Sequence, residues 1–241
     1  MRLAGALSLL LALGCSEPIY DVEARVGPED ERGREQLSIG KLVKRRQIAP
    51  VRSVAESVWQ TRPNRDAEEQ PDRVIRELNI PAGATVVDFG AGVGYYTWRL
   101  ARQVGPQGKV IAVDIQPGMI ERLEETLATR GVDNVETVLA LEDNARLPEG
   151  KVDLAILVDV YNELQQPEIS MQHLRRALKP DGRLVIIDYK REDANIPIPA
   201  PYRMTVSEVR EEVEPVGFEF VGTLDFVPIQ HIVIFRPGNP G

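Results

Sequence analysis

The sequence predicts an α/β fold built on a mostly parallel sheet, with helices packed on both of its faces. Short apolar segments that end in an acid alternate with longer segments of helical periodicity, the pattern of strands joined by crossover helices. The clearest strand ends at Asp88 and leads through a glycine-rich turn directly into a helical pattern. The length of 241 residues is compatible with a single domain of this class.

The first strand, its turn and the following helix carry the most informative residues. The apolar pair Val86 and Val87 predicts a buried strand, and four residues then follow at helical spacing: Thr97, Leu100, Ala101 and Val104. Between these two elements lie Asp88 and three glycines at alternate positions: Gly90, Gly92 and Gly94. Because glycine has no Cβ atom, such a turn brings bare backbone against a ligand at the start of a helix.

The spacing of these glycines separates two ligand classes that use such a turn, dinucleotides and S-adenosylmethionine. A dinucleotide site has the pattern G-x-G-x-x-G/A, in which the last small residue lets helix and strand pack closely. Tyr95 stands at that position, and the third glycine comes one residue earlier, at Gly94. The spacing therefore disfavours a nicotinamide-dependent oxidoreductase.

The remaining elements complete a predicted sheet of seven strands. Further strands are predicted over residues 109–115, 135–139, 151–159 and 178–188. Helices are predicted over residues 71–79, 116–130, 167–179 and 203–216. Residues 218–226 and 230–235 alternate in polarity and predict a closing antiparallel hairpin.

Four motifs, taken in order, resemble those of class I S-adenosylmethionine-dependent methyltransferases, which have a Rossmann-like fold. The glycine-rich turn resembles their motif I, and Asp114 ends the second strand 20 residues after Gly94. Residues 151–159 resemble their fourth strand. Residues 178–188 resemble their Leu-Lys-Pro-Gly-Gly turn and fifth strand, with Asp181 in place of one glycine. The resemblance covers roughly residues 70–236.

The resemblance implies S-adenosylmethionine as the cofactor and assigns residues to it. Asp114 is expected to accept hydrogen bonds from the ribose hydroxyls. An acid after the third strand is expected at the adenine amino group, with Glu142 and Asp143 both candidates. The complete expected set is Asp88, Gly90, Ala91, Gly92, Gly94, Asp114, Ile115, Glu142, Asp143 and Asp159.

The expected chemistry is mainly the alignment of an acceptor, because the sulfonium methyl group is already activated. A general base is needed only for an acceptor proton of high pKa. Tyr161 and Glu163 follow the fourth strand, where Tyr161 can orient a substrate and Glu163 can act as the base. Similar bacterial methyltransferases have Tyr-His-Glu here, and Asn162 replaces the histidine. The alternative is a helix-capping Asn162 beside a solvated Glu163; His231 is a third catalytic candidate.

Composition restricts the acceptor and the partners. The formal charge of −8 argues against nucleic acid. Two histidines and one cysteine make a metal site improbable, and the lone cysteine lacks the thiol partners expected of an arsenite methyltransferase. The Asn/Asp-Pro-Pro-Tyr/Phe motif of amino-group methylation is absent after the fourth strand. A small or lipophilic acceptor therefore remains, and a quinone-like molecule is one candidate by loose similarity. The sequence does not determine the oligomeric state.

The first residues predict export. A basic Arg2 precedes an apolar run from Leu3 to Leu13, which is too short to span a bilayer. Residues 1–14 followed by Cys15 resemble a bacterial lipoprotein signal, in which the cysteine is lipidated and anchors the mature chain to a membrane. An ordinary cleaved signal peptide is the alternative.

Export leaves two readings of the function open. S-adenosylmethionine is made in the cytoplasm, so an exported domain with this pocket is either an enzyme or a non-catalytic binding module. If the start is misassigned, the location is cytoplasmic, although the next methionine, Met119, lies inside the domain.

The segment between the signal and the domain is weakly patterned. Residues 15–60 are predicted as a linker and an N-terminal helical segment, residues 61–236 as the domain, and residues 237–241 as a tail. A basic cluster is expected on a solvated helix face, or less readily against a membrane: Lys41, Lys44, Arg45 and Arg46. Trp59 is a candidate for a lid over the cofactor, with simple packing as the equal alternative.

Overall fold

The computed structural model describes residues 42–43 and 46–238, with side-chain surroundings from residue 46 onward. The predicted signal over residues 1–14, the anchor Cys15, the linker residues before 42, and Lys41, Lys44 and Arg45 of the basic cluster have no described surroundings. Within the described part, no helix combines the length and the apolar character needed to cross a membrane.

The seven strands predicted for the sheet are present, and the strand that leads into the glycine-rich turn lies in its interior. Its strands are β3 Thr85–Phe89, β4 Lys109–Asp114, β5 Val135–Leu139, β6 Val152–Val158, β7 Leu178–Lys190, β9 Phe218–Leu224 and β10 Gln230–Pro237. They lie in the order β5-β4-β3-β6-β7-β10-β9, and a two-residue strand, β8 Arg203–Met204, adds to β7. The five neighbouring strands β5-β4-β3-β6-β7 pair in parallel. Strand β10 pairs antiparallel with both β7 and β9. The mostly parallel sheet with a closing antiparallel hairpin is confirmed.

Helices cover both faces of this sheet. They are α1 Arg65–Glu69, α2 Pro71–Glu77, α3 Thr97–Val104, α4 Pro117–Arg130, α5 Pro167–Ala177 and α6 Val206–Val213. Val87 and Leu157 point to the face packed by α5 and α6, whereas Val86 and Ile156 point to the face packed by α2 and α3. Strands buried on both faces are apolar without alternation, which explains the continuous apolar runs of the sequence.

The N-terminal segment differs from the predicted helices. Strand β1, Leu42–Val43, pairs with β2, Arg46–Gln47, and a 3-10 helix follows over Val54–Thr61. The expectation of a solvated basic face is wrong for Arg46, which is 3% exposed and forms an ion pair with Glu212 of α6 at 2.7 Å. Its guanidinium has a carboxylate partner that lies 166 residues further along the chain.

Candidate functional site

A cavity lies at the carboxyl ends of β3, β4 and β6, where open parallel sheets bind their ligands. Most of the predicted site residues line it: Asp88, Gly90, Ala91, Asp114, Ile115, Glu142, Asp159 and Glu163. The N-terminal segment contributes a further part of the wall: Val51, Arg52, Gln60 and Arg65. We call residues 46–62 the lid segment because its side chains reach across this cavity to the sheet.

The glycine-rich turn presents its backbone to the cavity. Gly90 and Ala91 both donate their N–H groups to the Val113 carbonyl, which fixes the turn on β4. Gly92 has φ +55°, and a Cβ atom there would lie 2.2 Å from Oε1 of Gln60. Only glycine therefore accommodates both the backbone conformation and the approach of the lid segment.

Asp114 is held rigidly at the edge of this turn. Its Oδ2 accepts a hydrogen bond from the Gly92 N–H at 3.0 Å, and its Oδ1 accepts one from the Gln116 N–H at 2.9 Å. Burial raises the pKa of Asp114, and the backbone hydrogen bonds oppose that rise. The carboxylate is thus pre-oriented, with lone pairs left to accept hydroxyl groups.

Asp88 lies beneath the turn and is buried. Its Oδ2 accepts a hydrogen bond from the Thr97 hydroxyl at 2.6 Å. Burial raises the pKa of Asp88 to about 6, with the Thr97 bond opposing the rise. Asp88 thus ties the start of α3 to the end of β3.

Asp159 ends β6 in the left-handed region, at φ +59°. Its backbone N–H donates to the Ile187 carbonyl at 2.7 Å, which holds this conformation. Its Oδ2 accepts from Nη1 of Arg52 at 3.0 Å, while its buried Oδ1 has no hydrogen-bond partner. Burial raises the pKa of Asp159 to about 6. A strained residue with an unsatisfied buried acceptor in a cavity is typical of a ligand contact.

Glu163 is the second carboxylate held by Arg52. Its Oε1 accepts from Nη1 of Arg52 at 2.7 Å, and its Oε2 accepts from the Arg52 backbone N–H at 3.0 Å. Burial raises the pKa of Glu163 to about 8 although Arg52 opposes the rise. The alternative of a solvated Glu163 is therefore wrong, because the side chain is largely buried beneath the lid segment.

Two of the three predicted catalytic residues lie outside the cavity. Tyr161 is fully buried, and its hydroxyl donates to Oε2 of Glu212 at 3.2 Å, so it cannot orient a substrate in the cavity. His231 lies on β10 opposite Asp188, with its Nε2 2.7 Å from a carboxylate oxygen of Glu192. Neither residue lines the cavity.

Asn162 does not cap a helix, which corrects the alternative given for it. Its side chain is fully buried, and Nδ2 donates to Oδ1 of Asp188 at 2.7 Å. Its carbonyl accepts the Ala49 N–H at 2.9 Å and Nη1 of Arg46 at 3.2 Å. Asn162 thus joins the loop after β6 to both the sheet and the lid segment.

The remaining predicted residues divide between the cavity and its surroundings. Glu142 lines the cavity, whereas the side chain of Asp143 does not. The Asp143 carbonyl lies 2.9 Å from Nε2 of His173, and His173 also lines the cavity. Gly94 lies against Leu123 of α4 and permits close helix packing.

Sequence reasoning missed the side chains of the lid segment. Oε1 of Gln60 accepts a hydrogen bond from the Val93 N–H at 3.0 Å. The backbone carbonyl of Arg52 accepts one from Nε2 of Gln116 at 2.9 Å. Trp59, the predicted lid residue, does not line the cavity and packs against the Arg62 guanidinium at 4.2 Å. No motif marks Arg52 or Gln60, because each is defined by its partners in the fold.

Comparison with known proteins gives a consistent family. Residues 80–219 match the family described as a methyltransferase domain. A ubiquinone/menaquinone biosynthesis C-methyltransferase, UbiE, from Hahella chejuensis is 29% identical over 118 residues, which cover 48% of this chain and 47% of that protein. An arsenite methyltransferase from Halobacterium salinarum is 30% identical over 152 residues, 58% of this chain and 38% of that protein. The chain thus spans about half, or less, of these relatives.

Solved structures agree on the fold. A SAM dependent methyltransferase from Aquifex aeolicus superposes with a TM-score of 0.73 at 28% identity, covering 77% of this chain and 99% of that one. The [4+2]-cyclase SpnF superposes with a TM-score of 0.58 at 16% identity, covering 69% of this chain and 81% of that one. At that identity the second similarity shows the fold alone.

Proposed function

Because this chain belongs to the methyltransferase-domain family, we propose that it transfers the methyl group of S-adenosylmethionine to a small or lipophilic acceptor held beside Glu163. The observation that carries the proposal is the single cavity shared by the glycine-rich turn and Glu163. The family and its structural relatives make the protein an S-adenosylmethionine-dependent methyltransferase. The acceptor and the roles of individual residues are the proposed part.

The residues of the cavity fit this cofactor. Asp114 would hold the ribose hydroxyls, with Ile115 and Glu142 beside the adenine. Asp159 offers a buried acceptor without a partner, which suits the ammonium group of the methionine portion. When bound, the cofactor supplies a methyl group that is already activated for displacement.

Glu163 is the proposed base for the acceptor. A group with a pKa of about 8 exchanges protons near neutral pH, which is the range where general bases are most effective. Arg52 contacts both carboxylate oxygens of Glu163 in this structure, so the acceptor must enter between Arg52 and Glu163. We therefore assign Arg52 the role of positioning Glu163 and opposing the rise of its pKa.

The residues that line the cavity and the amino-acid composition of the chain restrict the class of acceptor. Apolar side chains face the same cavity: Val51, Phe89, Met119, Val160 and Leu164. Arsenite needs soft thiolate ligands, and the only cysteine of the chain is Cys15. The UbiE relatives, by contrast, act in quinone biosynthesis by their names. An apolar molecule that must lose a proton as it is methylated is therefore the acceptor we favour.

A non-catalytic binding module is the second candidate. It is favoured by the contacts of Arg52, whose guanidinium and backbone N–H engage one oxygen of Glu163 each and leave no free base. In a binding module the lid segment remains closed over the ligand, and no methyl group leaves.

The deciding experiment uses tritiated methyl-labelled S-adenosylmethionine. The full chain is incubated with a total lipid extract and with a water-soluble metabolite fraction. The proposal expects tritium in an extractable lipophilic product and calorimetric binding of S-adenosylmethionine and its demethylated product, but not of NAD. Binding without label in either fraction would favour the binding module. Absence of binding would reject the proposed cofactor site.

The location is a separate proposal. We propose that the chain is a lipoprotein anchored through Cys15 on the outer side of the cytoplasmic membrane. Metabolic labelling with a fatty-acid analogue should mark the wild-type chain, while Cys15→Ser should carry no label. Equal label in both chains, or none in either, would reject the anchor.

A further inference from the structure

Exposed large apolar side chains gather around the mouth of the cavity. Across the described residues, seven such side chains are exposed: Val51, Val58, Trp59, Ile115, Leu139, Leu141 and Val221. Val51, Ile115 and Leu141 line the cavity itself, while Val58 and Trp59 lie on the 3-10 helix of the lid segment. We call these five residues the apolar rim.

The members of the apolar rim lie on packed, adjacent elements. The 3-10 helix lies along the start of α4, where Val54 meets Gly118 and Arg122 donates to the Ser57 hydroxyl. Ile115 directly precedes this start, and Leu141 follows β5, the neighbour of β4. Scattered apolar residues on a surface need no explanation, but a group around a binding cavity marks an interaction surface.

The chain also enters the domain at this side. The Ala49 N–H donates to the carbonyl of Asn162, next to Glu163 on the cavity wall. Residues 16–41 lie between the predicted anchor at Cys15 and the first described residue, Leu42, and a fully extended chain of that length would span roughly 85 Å. An anchor that far along the chain would not by itself set the orientation of the domain. The orientation therefore has to come from the surface of the domain.

We infer that the apolar rim rests on the surface of a lipid bilayer, so that a lipophilic acceptor passes from the membrane into the cavity. The pair of Trp59 and Arg62 suits the boundary between acyl chains and headgroups. Tryptophan is enriched there, and an arginine side chain can keep its guanidinium in water while its aliphatic part is buried. Bound cofactor would cover part of Ile115 and Leu141, but Val58 and Trp59 do not line the cavity and remain free. The inference rests on the proposed function for the identity of what enters.

Trp59 is a natural depth reporter for this inference. The full chain is reconstituted on vesicles of phosphatidylethanolamine and phosphatidylglycerol, with or without bromine atoms on the acyl chains, and bound protein is recovered by flotation. Bromine quenches tryptophan at short range, so emission should fall at least twofold on the brominated vesicles. The same measurement on Trp59→Phe gives the contribution of Trp98, and the difference isolates Trp59.

A matched pair of valines supplies the control. Val58 is 71% exposed on the rim and Val221 is 56% exposed on β9, at the opposite edge of the sheet. Val58→Asp should abolish the quenching of Trp59, whereas Val221→Asp should leave it unchanged. Both variants should bind the demethylated cofactor like the wild type, because neither side chain lines the cavity.

Three results would overturn the inference. Emission that is equal on brominated and plain vesicles would show that the rim stays in water, and failure of the chain to float would show that nothing holds it on the bilayer. An oligomer in detergent that Val58→Asp dissociates would make the rim a contact between copies of the chain. Calorimetry separates these results from a failure of the proposed function, since loss of cofactor binding by the wild-type chain rejects that function whatever the quenching shows.

Discussion

Four carboxylates that are buried or largely buried line one cavity: Asp88, Asp114, Asp159 and Glu163. Arg52 pairs with two of them, Asp159 and Glu163. Burial raises the pKa of all four. A carboxylate that is buried without full compensation destabilises the folded chain at neutral pH. The arrangement is therefore explained by ligand binding better than by stability.

Asp88 allows that cost to be measured. Its pKa is about 6 in the folded chain, whereas the ordinary value for an aspartate is 3.8. The folded chain therefore holds the proton more strongly than the unfolded chain. The contribution of the protonated Asp88 to the free energy of unfolding is complete below about pH 4. It declines as the pH rises toward 6 and is lost above pH 6. Asp88→Asn should raise the free energy of unfolding at pH 8 by about 3 kcal/mol, because each unit of pKa difference between the folded and unfolded chain corresponds to about 1.4 kcal/mol.

Urea unfolding at pH 8 and at pH 4.5 tests this value. The gain should fall to about 1 kcal/mol at pH 4.5, where the folded Asp88 is protonated but the unfolded carboxyl is still mostly ionised. The asparagine can still accept the Thr97 hydroxyl, so that hydrogen bond remains in the variant. An equal difference at both pH values would contradict the assigned cause.

Glu163 permits a kinetic prediction. If it is the base, Glu163→Gln should lower turnover by about 10²–10⁴ and leave cofactor affinity nearly unchanged. The wild-type rate should rise with pH around 8, because only the ionised carboxylate accepts a proton, and the variant should lose this dependence. Arg52→Gln should move the midpoint upward, since the guanidinium lowers the pKa of Glu163.

Initial rates with the labelled acceptor measure these effects. Glu142→Gln is the control, because Glu142 lines the same cavity on the side assigned to adenine. It should raise the KM for the cofactor with little change in turnover. A Glu163→Gln variant with wild-type turnover and pH profile would exclude this loop as the source of the base.

The 3-10 helix Val54–Thr61 is held over the cavity from both of its ends. Arg52 precedes it and pairs with Asp159 and Glu163, while Gln60 near its end accepts the Val93 N–H of the glycine-rich turn. The helix therefore links the acceptor side of the cavity to the turn. A displacement at either end should loosen the other.

Gly92→Ala tests this link. The new Cβ would lie 2.2 Å from Oε1 of Gln60, so Gln60 must leave the turn. Gly83→Ala is the matched control, because Gly83 also has positive φ but faces open space. Both variants should lose about 1–2 kcal/mol of stability from backbone strain. Only Gly92→Ala should bind the demethylated cofactor at least tenfold more weakly and speed hydrogen exchange over residues 54–61, and equal exchange in the two variants would contradict the link.

The elements that the sequence predicted well are those whose signals are local. Strand β3, the glycine turn and α3 follow one another directly, so periodicity and turn chemistry suffice to define them. The lid segment has no such pattern: Arg52 meets Glu163 across 111 residues, and Gln60 meets Val93 across 33. Tyr161 was misplaced for the same reason, because its position after β6 is predictable but its contact with Glu212 is not.

At the scale of the whole molecule, a polar network whose members do not line the cavity ties together the wall behind it. Arg46 at the start of the described domain pairs with Glu212 on α6, and Glu212 also accepts the Tyr161 hydroxyl. Arg46 also donates to the carbonyl of Asn162, and the Tyr202 hydroxyl donates to the carbonyl of Pro50 in the lid segment. The loop that carries Glu163 is thus held from behind by Arg46 of the lid segment and Glu212 of α6.

This network predicts a large difference between two ion pairs of the same chemistry. The side chains of Arg46 and Glu212 are 3% and 6% exposed, whereas those of Arg236 and Glu219 are 64% and 46% exposed. Arg46→Ala leaves a buried carboxylate without its cation and should lower the free energy of unfolding by about 3–5 kcal/mol. Arg236→Ala removes a solvated pair and should cost about 1 kcal/mol or less.

Replacing both buried partners separates the cost of an orphaned charge from the value of the pair. In Arg46→Met with Glu212→Leu no charge remains buried, so most of the stability lost in Arg46→Ala should return. Urea unfolding of the three variants and the wild type provides the comparison. If the double variant is as unstable as Arg46→Ala, the pair contributes through its own hydrogen bonds to Asn162 and Tyr161, and the loop of Glu163 depends on them for its position.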